Sequence, residues 1–86
     1  MKKPRFTPEQ HNEMGRRLAA LDWELSRSYV DVAYAYPLTG PGAVAVRKLG
    51  SAMRAVSEAR CALDGALFKE HPAVAEPSVY YGEPAA

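Results

Sequence analysis

Cysteine is all but absent from this chain of 86 residues, where Cys61 stands alone. A lone thiol excludes an internal disulfide, and no Cys/His grouping has zinc-ligand spacing. An unpaired cysteine also fits a reducing compartment better than a secreted scaffold. Charge of one sign is lacking too. Eleven basic and ten acidic residues leave a formal net charge of +1, which argues against a dedicated polyanion binder. No apolar run approaches the ~20 residues a membrane-spanning helix requires. The basic start Met1-Lys2-Lys3-Pro4-Arg5 is not followed by the apolar core of a signal peptide. The expectation is a cytoplasmic protein without a membrane partner.

Catalytic signatures are missing as well. Gly40-Pro41-Gly42 precedes a helix without the Lys-Ser/Thr that a phosphate loop needs. No Glu-x-x-His pair marks a di-iron bundle, and Glu24, Glu58 and Asp64 are scattered over polar faces. Cys61 falls on the polar side of a helix interior with no histidine near it in sequence, the setting of an inert thiol. His11 and His71 fall near the start of one helix and the end of another, where an antiparallel hairpin brings them together. Two histidines without a third ligand make a poor metal site. The sequence thus points to no enzyme, no cofactor and no metal.

What is present is helical period. Residues 1–6 read as a flexible basic arm. Thr7-Pro8-Glu9-Gln10 is a helix start, with Thr7 as cap, Pro8 in the first turn and Gln10 where a capping box wants Glu or Gln. Met14, Leu18, Leu21, Leu25, Ser28, Val32 and Ala35 continue the seam, which predicts a first helix over about 8–36. Pro37 ends it, because the residue before a proline is pushed out of the helical region. A second helix is predicted over about 41–70, with Ala45, Leu49, Ala52, Val56, Ala59, Leu63 and Ala66 as its seam. Nearly equal helices joined by a short turn are antiparallel neighbours. The expected fold is therefore all-α, a long antiparallel hairpin over 7–70. Residues 71–86, which hold three of the seven prolines, read as an extended tail.

A chain this small buries only ~60% of the surface its unfolded form exposes, so leftover apolar surface carries information. Ala19, Trp23, Val30 and Tyr34 fall nearly opposite the seam of the first helix, and Val46 and Met53 widen the seam of the second. Both helices want more than one neighbour. Two hairpins forming a four-helix bundle supply it, and a twofold homodimer is the commonest closed assembly. Those six residues are the expected self-association or partner-binding surface. Val79, Tyr80 and Tyr81 are a second contact element, either for a partner or folded back over the hairpin.

The length and hairpin shape resemble the helical-hairpin substrates of type VII secretion. The resemblance ends at shape: the turn holds no Trp-x-Gly, and Tyr80 and Tyr81 lack the spaced acid that follows the tyrosine in those chains. The expected role is a non-enzymatic protein–protein interaction module, acting as an adaptor, inhibitor or regulatory subunit. The alternative is a nucleic-acid-binding regulator using Lys2, Lys3, Arg5, Arg16 and Arg17. Interspersed acids and the absence of a helix-turn-helix pattern weigh against it.

Overall fold

Helix α1 starts where the capping chemistry places it. In the computed structural model, which describes residues 5–81, α1 runs Pro8–Ala35. The Thr7 hydroxyl accepts from the Gln10 backbone N–H at 3.1 Å, and the Gln10 side chain accepts from the Thr7 N–H at 2.8 Å. The helix stops at Tyr36, whose extended backbone (φ −127°, ψ 149°) is what a following proline imposes. The turn ends at Gly40, where φ is +86° and ψ −167°, a combination open in practice to glycine alone. Pro41 opens α2, which runs Pro41–Glu70.

The tail differs from its expected extended form. His71–Pro77 turns back, with the Val74 and Ala75 N–H groups donating to the His71 carbonyl at 3.1 and 3.0 Å. Ser78–Tyr81 then forms one helical turn, α3. Val79, Tyr80 and Tyr81 suit a strand locally, but the described residues form no strand to pair with. Helical bonds from Val79 to Glu76 and from Tyr81 to Pro77 satisfy the backbone instead.

The packed stripe is also shifted from the predicted seam. Met14, Leu18, Leu25 and Val32 are half-buried as expected, but Gly15, Asp22 and Tyr29 alternate with them, while Leu21 and Ser28 are exposed. On α2, Leu49, Val56 and Leu63 alternate with Val46, Met53, Arg60 and Leu67; of the predicted alanines, Ala52 and Ala66 are half-buried while Ala45 and Ala59 are exposed. The true stripe admits a glycine and an ion pair, which apolar periodicity discounts.

Burial is concentrated at one end. His11, Gly15 and Ala19 of α1, Leu67 of α2 and Tyr80 of α3 are buried, and Tyr80 is the most enclosed. From residue 20 to residue 66, Gly42 is the sole buried residue. The described residues measure 49 × 34 × 15 Å, little more than one helix diameter in the thinnest direction. No described helix is long and apolar enough to cross a membrane.

Candidate functional site

The closed end is built around an imidazole. His11 lies one turn into α1 and, in the antiparallel arrangement, faces the last residues of α2. Its Nε2 stands 3.2 Å from Glu70 Oε1, and its Nδ1 stands 2.5 Å from the Tyr80 hydroxyl. A carboxylate only accepts, so Nε2 donates to Glu70, and in the neutral ring Nδ1 accepts from the Tyr80 hydroxyl. This arrangement satisfies every polar atom of a side chain that is 1% exposed. Such pairing matters, because an unpartnered buried polar group costs about 1–3 kcal/mol. Three rings stand edge-on around His11: Phe6 at 5.3 Å, Tyr80 at 5.7 Å and His71 at 5.8 Å between centroids.

His71 is fixed from its other side. Its Nε2 lies 2.7 Å from the Phe6 carbonyl, so Nε2 carries the proton and Nδ1 holds the lone pair. His11, Glu70 and His71 each offer one ligand atom, and the three atoms lie within 4.8 Å of one another. Glu70 is thus the third potential ligand that the two-histidine reading lacked.

The docked tail depends on two further features. Gly15 lets α3 approach: a Cβ there would stand 2.9 Å from the Val79 carbonyl carbon and still closer to its oxygen. Arg60 supplies the opposing hold, donating from Nε to the Tyr80 carbonyl at 2.7 Å. Its Nη1 reaches Asp22 Oδ2 of α1 at 3.4 Å, and its guanidinium carbon sits 5.9 Å from the Tyr81 ring centroid. Burial, followed by the negative charges of Glu70 and Asp64, raises the Tyr80 phenol above its ordinary value of 10.0. Asp64 Oδ1 is itself buried without a hydrogen-bond partner among the described residues.

The expected interaction residues divide between two environments. Trp23, Val30 and Tyr34 are 56%, 47% and 89% exposed, and Trp23 and Val30 line a shallow depression with Ser26, Arg27 and Asp31. Ala19 is instead buried, one turn beyond Gly15 and on its face of α1. Val46 and Met53 are half-buried on the packed stripe of α2. Val46 also lines a groove at the turn end with Tyr36 and Leu38. Tyr80 is taken up inside the chain, Val79 is half-buried and Tyr81 remains exposed.

Of the basic set, Lys2 and Lys3 lie outside the described residues. Arg5, Arg16 and Arg17 are exposed. Arg16 and Arg17 both turn to Glu13, at 2.7 and 3.2 Å. Those contacts hold the Glu13 carboxyl below its ordinary range, the Arg16 hydrogen bond contributing most. Cys61 is exposed on α2.

Sequence reasoning brought His11 and His71 together and left open that Tyr80 folds back over the hairpin, but it missed Glu70 and Arg60, which hold the closed end. Of the apolar residues left exposed, Trp23, Val30 and Tyr34 were legible from the helical wheel, whereas Tyr36 and Leu38 were not. Comparison with known protein families, with curated proteins and with solved structures finds no match to this chain.

Proposed function

We propose that this chain is a non-enzymatic interaction module whose hairpin face is completed by a second copy of itself. One observation carries the reading: Gly42 is the sole buried residue between residues 20 and 66. Over that length two helices lie side by side in a layer 15 Å thick and leave Trp23, Val30, Tyr34, Tyr36 and Leu38 in solvent. Large apolar side chains left exposed over that length are what an interaction surface presents.

A second hairpin laid on this layer generates a four-helix bundle with an enclosed core. The 49 Å length permits burial on the order of 800 Å² per protomer, the size of a stable interface. A net charge of +1 offers little repulsion between copies. The closed end is left outside that interface, and the bundle surface serves an adaptor or regulatory role toward another protein.

Light scattering after size exclusion tests the reading across a wide concentration range. The expected mass is twice the 9.4 kDa of one chain, and Trp23→Glu restores the single-chain mass without loss of helix. A folded monomer at every concentration would refute it. The nucleic-acid alternative is weakened by the engagement of Arg16 and Arg17 with Glu13. It predicts salt-dependent retention on DNA or RNA, which the interaction module does not.

A further inference from the structure

We propose that His11, Glu70 and His71 form a binding site for one divalent transition-metal ion of the zinc class, placed where the first turns of α1 meet the end of α2. The donor set is two imidazoles and a carboxylate, a combination that zinc accepts while keeping a fourth position for water. Zinc–ligand distances of about 2.0–2.2 Å set neighbouring ligand atoms roughly 3.3 Å apart in a tetrahedron. His11 Nε2 and Glu70 Oε1 are already 3.2 Å apart. The remaining separations reach no more than 4.8 Å, so the three side chains must draw together when the ion binds.

Surrounding groups support the same reading. A metal-bound histidine typically donates its other ring N–H to a carbonyl, carboxylate or comparable acceptor, which fixes tautomer and ring orientation. His71 already does so: Nε2 is committed to the Phe6 carbonyl at 2.7 Å, and the lone pair is left on Nδ1. His11 has the Tyr80 oxygen at its Nδ1. When Nε2 gives its lone pair to the ion, its proton moves to Nδ1, which then donates to Tyr80 as acceptor. The Tyr80 hydroxyl, which both donates and accepts, then turns its own proton away from His11.

The ion joins segments far apart in the chain. His11 and Glu70 are 59 residues apart, and Tyr80 is 69 residues from His11. Metal loading therefore reinforces the closed end of the hairpin and, through Tyr80, the docked α3. This inference is independent of self-association, because all three ligands come from one chain.

The test is zinc titration of the metal-free full-length chain in competition with a chromophoric chelator. It is done in a Cys61→Ser background, so that the exposed thiol does not contribute. The expected result is one zinc per chain. Glu70→Gln and His71→Ala should each weaken binding by at least about 10-fold, and Tyr80→Phe, which removes a supporting group, by about 10-fold. Circular dichroism confirms that each variant is folded; these are used because His11→Ala risks unfolding the closed end. In NMR spectra the ring resonances of His11 and His71 should shift together on zinc addition. Absence of saturable one-to-one binding overturns the proposal. So does affinity in both Glu70→Gln and His71→Ala within about threefold of the parent.

Discussion

Gly15→Ala is expected to destabilise this protein although it replaces glycine by alanine inside a helix. By propensity alone the exchange favours the helix by about 0.8–1 kcal/mol. Here the added methyl would meet the Val79 carbonyl, with its carbon at 2.9 Å and the Val79 Cγ1 at 3.4 Å. The obstacle is backbone, which cannot swing aside as a long side chain can. Helix α3 must lift, and Tyr80, fully enclosed in the parent, is then exposed. Losing that burial costs roughly 2–3 kcal/mol. The hydrogen bonds of Tyr80 to His11 and Arg60 add about 1 kcal/mol each. After the propensity gain is deducted and part of the contact is recovered by adjustment, a net loss of about 2–4 kcal/mol is expected, a large share of a small domain's stability.

Gly65→Ala is the matched control. A Cβ at Gly65 meets nothing within 4 Å, so the same exchange should stabilise by about 1 kcal/mol. Urea unfolding of both variants, followed by far-UV circular dichroism, measures the difference. Near-UV signals from Tyr80 and thermolysin cleavage around the exposed Val74 report whether α3 has left the hairpin. If Gly15→Ala proves as stable as Gly65→Ala, with the tail still protected, then α3 does not rest against α1 at this point and the docking argument fails.

Arg60→Met keeps the apolar stem but removes the donor to the Tyr80 carbonyl, and should cost about 1.5–3 kcal/mol with faster thermolysin cleavage near Val74. The enclosed Tyr80 phenol makes the fold sensitive to alkali. Its folded pKa is raised, so its stabilising contribution is complete below the unfolded value near 10 and declines as pH rises toward the folded value. Unfolding midpoints measured above pH 10 should fall less steeply in Tyr80→Phe than in the parent. Glu13 has the opposite sign, since its folded pKa is lowered: its contribution is present above the unfolded value of 4.5 and lost as pH falls through the folded one. Glu13→Gln should reduce the acid dependence of helix content, read by circular dichroism.

Why the helices were legible and their facing residues were not follows from the range of the signals involved. Thr7, Pro8 and Gln10 act within one turn, and Pro37 and Gly40 act on the bonds beside them, so the boundaries near 8, 36 and 41 could be read locally. The seam depends on what lies across it. Asp22 and Arg60 look like solvent-facing charges until their separation of 38 residues is closed by the hairpin. Gly15 looks like a helix defect until Val79 arrives beside it. In each case apolar periodicity favoured the neighbouring residue, which shifted the predicted stripe by about one position while keeping Leu18, Leu25, Val32, Leu49, Val56 and Leu63 in place.

The same separation of ranges explains the closed end and the bare one. Histidine, glutamate and tyrosine each favour water when isolated, and nothing within a few residues of His11 offers it a buried partner. Folding the tail back supplies Tyr80 from 69 residues away and the hairpin supplies Glu70 from 59, so one imidazole is paid for twice by groups no local reading can connect. The turn end has no such visitor. Tyr34, Tyr36 and Leu38 are 89%, 55% and 96% exposed because α3 is one turn long and is spent at the other end. A chain that uses its own tail to close one end has no further described element with which to cover the other. The proposed self-association would bury that end at Trp23 and Tyr34, whereas the pairing of His11 is already complete within one chain.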